Sequence, residues 1–475
     1  MEIVDFLVIG SGSGLDVANL AVRHGQRVAV IENGPLGGTC LNRGCIPSKH
    51  LLYHANVLQT INQAGNFHIE ASVDNIAFAD IVREVNNAVQ ADATSIKRGL
   101  RASDAHQLFH GTGKFIDDRM VELVDGEDEG AVITADTVLI AAGTRPSIPA
   151  IDGIDSVDYL TSTEALQLPT PPDHLVIIGG GYIAAELSHF FGTFGSEITI
   201  VGRRPTLLPE ADSEVATAFT NEFADRFTVH TGYAATAASQ NNDSVIVEAR
   251  PYEYGHGIVD DGTPIEVSGD NVLVAAGRIP NSDILNLEAT GVETDDQGFI
   301  ETDDYLRTTA EDIWALGDIV GEYLLKHSAN HEARTVIRNL FGNELHPVDY
   351  TAMPFAVFAS PEVAGVGARE GELQNKGQEY ATNVYEYEDT ARGDAMKASG
   401  FVKVLIDGDG TILGCHIIGP EASTLIQEVI VAMKTGSGSV ADIQDSVHIH
   451  PALPEVVQRA CSGPFRRGND NLHGH

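Results

Sequence analysis

The stretch Phe6–Glu32, FLVIGSGSGLDVANLAVRHGQRVAVIE, decides how the chain must be read. An apolar run from Phe6 to Ile9 breaks at Gly10 and Gly12, and small and apolar residues at helical spacing follow. A second run rich in Val and Ile ends at Glu32. Strand, glycine turn, helix and strand in that order predict a βαβ unit. Its glycines tighten the turn and let the backbone approach a pyrophosphate at the helix N-terminus. One such unit is a weak signal. It recurs at His174–Arg204, HLVIIGGGYIAAELSHFFGTFGSEITIVGRR, with Gly179, Gly181 and Ala184 in the corresponding places. Two units in the same context predict an α/β protein with two Rossmann-like dinucleotide-binding domains.

The units differ where the second strand ends. Glu32 is placed to bind ribose hydroxyls of an adenosine, whereas the second unit ends in Gly202, Arg203 and Arg204. Arginines there suit a 2′-phosphate, so the second site is expected to take NADPH rather than NADH. In the first unit the usual third glycine is Leu15, with Gly14 just before it, which predicts a slightly altered helix–strand contact.

Each unit is followed by a similar phrase, TVLIAAGTRP from Thr137 and NVLVAAGRIPN from Asn271. A helical region from about Leu51 to Ala102 separates the first unit from its phrase. DIWALGDI, Asp312–Ile319, precedes a helix expected to begin near Lys326. With chain crossings at Pro149–Asp155 and Pro280–Asn281, the expected organisation is a first domain over 1–150 and a second over 151–280. Residues 281–346 would complete the first domain, 347–465 would form an α+β domain, and 466–475 would be a loosely ordered tail.

The 475 residues include 29 basic and 68 acidic ones, a net charge of −39. Such a surface repels nucleic acid and anionic membranes, and neither is expected as a partner. The acids are spread along the chain and lysine is scarcer than arginine. That composition resembles proteins of salt-loving microorganisms, where salt screens self-repulsion. The start, IVDFLVIG, reads as a first strand rather than a signal peptide, and no apolar run is long enough to span a bilayer, so a cytoplasmic location is expected.

Four cysteines in so long a chain do not make a disulfide framework. Cys415, in TILGCHIIG, reads as a small core residue, and Cys461 has no neighbouring partner in sequence. Cys40 and Cys45 stand five positions apart in GGTCLNRGCIPSK, Gly37–Lys49. In a regular helix that is roughly 7.5 Å along the axis, whereas bridged Cα atoms usually lie about 4.4–6.8 Å apart. Either the thiols are unrelated, or Gly44 and Pro47 distort the backbone enough to join them. No metal is expected, because the local sequence lacks four suitable ligands.

GGTCLNRGCIPSK, both glycine units, AAGTRP, AAGRIPN, ALGD and HPALPE together resemble the FAD-dependent pyridine nucleotide–disulfide oxidoreductases. This family includes dihydrolipoyl dehydrogenase, glutathione reductase and mycothione reductase. The likeness runs from Phe6 to about Cys461, and LLKHSANHEAR (Leu324–Arg334) and HPALPEVVQ (His450–Gln458) are most similar to mycothione reductases. It implies FAD in the first domain, NADPH in the second, and a C-terminal dimerisation domain in a homodimer.

The resemblance also implies roles for single residues. FAD would meet Gly10, Gly12, Gly14, Glu32, Gly38, Thr39 and Gly143, with Asp318 on its ribitol. NADPH would meet Gly179, Gly181, Ala184, Arg203, Arg204 and Gly277, with Tyr182 covering the flavin until nicotinamide enters. Cys40 and Cys45 would form a redox-active disulfide, Cys45 facing the flavin and Cys40 attacking the substrate. Lys49, paired with Glu186, would stabilise negative charge on the reduced ring. His450 and Glu455, from the partner subunit, would handle the proton. His448 reads better as structural. Arg43 replaces a common valine, and would tune a thiol, attract an anionic substrate or face solvent.

The expected activity is therefore NADPH-dependent reduction of a small disulfide, with bis-γ-glutamylcystine or mycothione as the leading substrate. An NAD-linked dihydrolipoyl dehydrogenase is the alternative, against which Arg203 and Arg204 count. A flavoprotein serving as a redox-sensing or assembly subunit is the alternative of another class. No vicinal cysteine pair accompanies Cys461, as a mercuric reductase would require, and a soluble transhydrogenase would not need Cys40 and Cys45.

Overall fold

The fold is that of a computed structural model, described for residues 1–241, 244–259 and 261–468. Strand β1 (Glu2–Ile9), helix α1 (Gly14–Arg23) and strand β2 (Val28–Glu32) form the first βαβ unit. β1 and β2 pair in parallel, Phe6 opposite Val28 and Ile9 opposite Ile31. Val132–Ile140 pairs in parallel on the other side of β1, and His106–His110 extends the sheet beyond β2. Phe6, Leu7 and Val8 are buried, as are Val28, Ala29 and Val30. Helix residues such as Val17, Ala21 and Val336 cover the face of Phe6, Val8 and Val30, while Phe115, Val121, Leu287 and Ile300 cover that of Leu7 and Ala29, so with both faces buried these strands read as continuous apolar runs instead of alternating.

The chain returns to this sheet after the second unit. Ile313–Ala315 pairs in parallel with Val132–Ile140. That places the residues after it, including Asp318, at the carboxyl edge where Gly10 and Ala141 also lie, the edge at which parallel sheets bind ligands. The second unit builds its own parallel sheet from His174–Ile178, Glu197–Gly202, Thr228–Thr231 and Asn271–Val274. Thr144–Pro146 and Arg278–Pro280 pair antiparallel, so the two chain crossings run side by side. From Pro354 onward an antiparallel sheet is packed against Ala422–Thr435.

Two expectations need correction. The helical region after the first unit is not continuous: α2 (Gly38–Arg43), α3 (Cys45–Asn62) and α4 (Phe78–Arg101) are separate, and residues 68–77 between α3 and α4 are not helical. The tail begins as structure, because Arg466 and Arg467 pair with Thr382 and Ala381 at the sheet edge; residues 469–475 lie outside the described residues. Among the described residues no helix is long and apolar enough to cross a membrane.

One buried lysine fastens the last domain to the second. Lys403, on strand Phe401–Ile406, is 1% exposed. Its Nζ lies 2.8 Å from Asp212 Oδ1, 2.6 Å from Glu370 Oε2 and 3.2 Å from Glu214 Oε2. Burial would pull this ammonium down, but Asp212 and Glu370 outweigh it and hold it above the ordinary lysine range. Asp212 also caps the helix Ser213–Ala224 through Glu214 N.

Candidate active site

A cavity of about 410 Å³ runs along the carboxyl edge of the first sheet, within the usual size of a small-molecule site. Its floor is backbone. At Gly10 (φ 102°) a Cβ would overlap the carbonyl oxygen of Ala141, and at Gly179 (φ 133°) that of Ala275. The two AAG phrases thus recur because each lays its first alanine across the first glycine of its unit. Gly14 makes the close helix–strand contact, its position facing Val8 and Ala141, while Leu15 beside it is buried. The displaced glycine does the packing work of the usual third one.

Gly38, at the start of α2, has φ 69°, and a Cβ there would lie 2.7 Å from Gly12 Cα. Two backbones meet here with no flexible side chain to give way. Gly38→Ala is therefore expected to weaken flavin binding at least about tenfold, read as loss of bound flavin absorbance relative to protein.

The cavity ends in carboxylates held in place. Glu32 accepts hydrogen bonds from Ser11 N at 2.9 Å and Ser11 Oγ at 2.6 Å through Oε2, and from Gly34 N at 2.9 Å through Oε1. Asp318 accepts from Thr144 Oγ1 at 3.0 Å, and Arg278 Nε donates to the same Thr144 oxygen at 2.7 Å. Burial pushes the Asp318 carboxyl up, and Arg278 opposes this. Gly12, Thr39, Gly143 and Tyr182 also line the cavity. Carboxylates for hydroxyls at both ends, with a glycine-floored cradle between them, fit the hydroxyls and diphosphate of FAD.

The cysteines answer the spacing question. α2 ends at Arg43 and α3 starts at Cys45, with Gly44 between them at φ −140° and ψ −121°. The helix is broken, not continuous, and Cys40 comes to the Cys45 sulfur. Both are free thiols in this structure, the reduced form of the expected pair. The hydrogen bond from Cys40 lowers Cys45 to about 6; burial opposes this and the nearby Lys49 ammonium assists it. Cys40, as donor, is held up by the same bond and by burial. Cys45 is thus the thiolate of the reduced pair at neutral pH.

Alkylation of Cys45 in the reduced protein should follow a pH midpoint near 6, followed by peptide mass. In Cys40→Ala the midpoint should rise, because the stabilising donor is gone. An unchanged midpoint would mean that another group holds the thiolate.

Lys49, on α3, is the ammonium that acts on Cys45, as Lys326 does on Cys40. Its Nζ donates to Glu186 Oε1 at 2.9 Å and Oε2 at 2.8 Å, and sits 5.0 Å from the centre of the Phe358 ring. Glu186, on the helix Tyr182–Thr193, is buried and also accepts from Phe358 N at 3.1 Å. The lysine is therefore fixed at the cavity wall.

In the second unit Gly181 precedes that helix and Ala184 is buried within it. Arg203 is exposed. The Arg204 guanidinium stacks 3.6 Å from the centre of the Tyr254 ring and lies 3.8 Å from Glu210. Gly277 has φ 127°, and its carbonyl accepts from Ser147 N at 2.9 Å, next to Arg278.

His450 and Glu455 pair, Nδ1 to Oε1 at 2.9 Å, and Glu455 also accepts from Ala452 N. The bond from His450 holds Glu455 below the ordinary carboxylate range. Neither residue lines the cavity of its own chain. The His450 side chain is 71% exposed, beside Val447 and Ile449, which are 100% and 79% exposed. His448 turns inward to Glu428 at 3.0 Å.

Sequence reasoning missed Ser11, Thr144, Arg278 and Lys326. Ser11 lies between Gly10 and Gly12 and Thr144 follows Gly143, and Arg278 and Arg145 follow the two AAG phrases at similar positions. Lys326 begins the helix after DIWALGDI, but nothing in its spacing shows that Nζ reaches Ser13 Oγ, 2.7 Å away.

The family described as pyridine nucleotide-disulphide oxidoreductase matches residues 4–333, and its dimerisation domain matches residues 353–461. A mycothione reductase of Mycobacterium tuberculosis is 37% identical over 98% of this chain and 100% of its own length. Dihydrolipoyl dehydrogenase 3 of Haloarcula marismortui is 35% identical over 96% of this chain and 95% of its own. Among solved structures, the Cu(II) complex of the HOCl-induced flavoprotein disulfide reductase RclA from Escherichia coli superposes with a TM-score of 0.85. It is 25% identical and the match covers 97% of this chain and 99% of that one. With a paired thiol and thiolate at one wall of a dinucleotide cavity, and with both family regions matched in order, the chain belongs to the pyridine nucleotide–disulphide oxidoreductases.

Proposed function

We propose that this chain is a cytoplasmic NADPH-dependent flavoprotein reductase of a low-molecular-weight disulfide, RSSR + NADPH + H⁺ giving two RSH and NADP⁺. The observation that carries the reading is the reduced pair: Cys45 held as thiolate by Cys40 and Lys49 inside the cavity that fits FAD. FAD would pass the electron pair of the nicotinamide hydride to the Cys40–Cys45 disulfide.

The remaining steps belong to the chain. Cys40, deprotonated by His450 of a second copy, attacks one sulfur of RSSR. A Cys40–SR mixed disulfide forms and RS⁻ leaves, taking its proton from the same imidazolium. Cys45 then attacks the Cys40 sulfur, restores the disulfide and releases the second thiolate. Glu455 fixes the His450 tautomer and supports its cation. The exposed apolar residues around His450, and the matched dimerisation domain, support a homodimer that covers them. Lys49, fixed by Glu186, supplies the positive charge on the cavity wall.

NADPH is the proposed donor because Arg203 and Arg204 follow the second strand where an acid would favour NADH. The ring of Tyr254 keeps the Arg204 plane oriented. The mycothione reductase likeness points to a small thiol disulfide, and the acidic, salt-adapted composition makes bis-γ-glutamylcystine the leading substrate and mycothione the next. A second reading, NAD-linked dihydrolipoyl dehydrogenase, is favoured by the 35% identity to the Haloarcula protein.

Steady-state rates in high salt with bis-γ-glutamylcystine, mycothione, glutathione disulfide and lipoamide, each with NADPH and NADH, separate these readings. The proposal expects a small thiol disulfide with NADPH to give the highest kcat/KM. Lipoamide with NAD(H) as the best pair would overturn it. Electron uptake from NADPH without turnover of any disulfide would instead indicate a sensing or assembly subunit.

A further inference from the structure

We propose that Arg43 and Lys326 bind the diphosphate of FAD, as side-chain cations that reinforce the glycine cradle. The inference rests on the FAD reading of the cavity and not on the choice of disulfide. Five cations line this cavity: Arg43, Lys49, Arg145, Arg278 and Lys326. Three have carboxylates at hand, Lys49 with Glu186 at 2.8 Å, Arg145 with Asp283 at 2.6 Å and Arg278 with Asp318 at 4.0 Å. Among the described residues neither Arg43 nor Lys326 has a carboxylate within that distance. In a chain carrying −39, two cavity cations with no carboxylate paired within 4.0 Å are the exception that calls for a ligand.

Their positions bracket the place where the diphosphate must lie. Lys326 Nζ donates to Ser13 Oγ at 2.7 Å, and Ser13 Oγ donates to Asn330 Oδ1 at 2.9 Å. Ser13 is buried and immediately precedes α1, so the ammonium sits at the positive end of that helix with donors to spare. Arg43 comes from the other direction. Its Nη2 lies over Gly34, where a Cβ would approach it to 2.9 Å, beside the Glu32 carboxylate. Lys326 thus stands near the Asp318 end and Arg43 near the Glu32 end. Gly12 and Gly38 lie in the cradle they flank.

The physical need follows from the charge. A helix terminus supplies only about half an elementary charge, against a diphosphate of about two negative charges and a protein field that repels anions. Two guanidinium or ammonium contacts neutralise the ligand locally and are charge-assisted hydrogen bonds. This also gives Arg43 a task apart from the thiols; the ammonium acting on Cys45 is that of Lys49.

The test is titration of flavin-stripped protein with FAD, with ADP and adenosine as competitors, at low and high salt. Arg43→Gln and Lys326→Gln should each weaken FAD about tenfold or more at low salt, and weaken ADP in parallel. Adenosine should compete as well as in wild type. Arg43→Lys and Lys326→Arg should recover most of the loss, and both Gln variants should show a shallower salt dependence. FAD affinities within about twofold of wild type, or an equal loss for adenosine and ADP, would overturn the proposal. If stripped variants do not refold, the rate of FAD release from the purified holoproteins reads the same contact: faster release is expected, and an unchanged rate contradicts it. None of these readouts involves a disulfide, so a failed substrate assignment would leave them untouched.

Discussion

Cys40→Ser and Cys45→Ser should each cut disulfide turnover to about a thousandth of wild type or less, because each removes a bond-making sulfur and not a supporting contact. The two variants should nevertheless keep their flavin and oxidise NADPH when ferricyanide is the acceptor, since that route bypasses the pair. The retained reaction separates loss of the thiols from loss of fold. Their remaining cysteine should also differ. In Cys45→Ser the Cys40 thiol loses the thiolate to which it donates, and burial alone holds it up. In Cys40→Ser a hydroxyl remains to donate to Cys45, so its thiolate should persist better than in Cys40→Ala. Substantial disulfide turnover by either Ser variant would remove the pair from the mechanism.

Lys403→Met should destabilise the protein by about 3–5 kcal/mol, the usual result of removing one member of a buried ionic cluster. The volume is nearly conserved, so the loss is electrostatic: Asp212 is fully buried and Glu370 largely so, and both would lose their cation. Denaturant midpoints at fixed salt measure it. The pH dependence carries a sign. Burial raises the Asp212 carboxyl, but His416 and Lys403 outweigh it and the net value is below the ordinary 3.8. Its stabilising contribution is therefore present above about that pH and is lost as pH falls through the lower folded value. The gap between wild type and Lys403→Met should shrink in the same acid range. A gap that stays constant would assign the effect to packing.

The parts of this fold that were legible are those whose chemistry is local. A glycine turn between two apolar runs is readable because only strand, tight turn and helix satisfy it, and both units formed where Phe6–Glu32 and His174–Arg204 placed them. The cysteine break was readable as an alternative only; Gly44 made it possible, but α2 and α3 had to be seen as separate helices to decide it. What stayed hidden depends on residues far apart in sequence. Ser13 meets Lys326, Thr144 meets Asp318, and Lys403 meets Asp212, and no periodicity records such pairs. Gly14 shows a milder case: its glycine was visible, but its contact with Val8 and Ala141 depended on how α1 lies on the sheet.

Whether the His450–Glu455 pair serves the cysteines of its own chain or of a second copy is the most direct test of the proposed site. Cys40→Ser and His450→Gln chains, each carrying a different tag, would be coexpressed and the mixed dimer isolated. Each homodimer should be nearly inactive toward the disulfide. In the mixed dimer, His450 from the Cys40→Ser chain meets intact Cys40 and Cys45 of the His450→Gln chain, so one working site is restored and turnover returns. A mixed dimer as inactive as either parent would contradict a site shared between subunits.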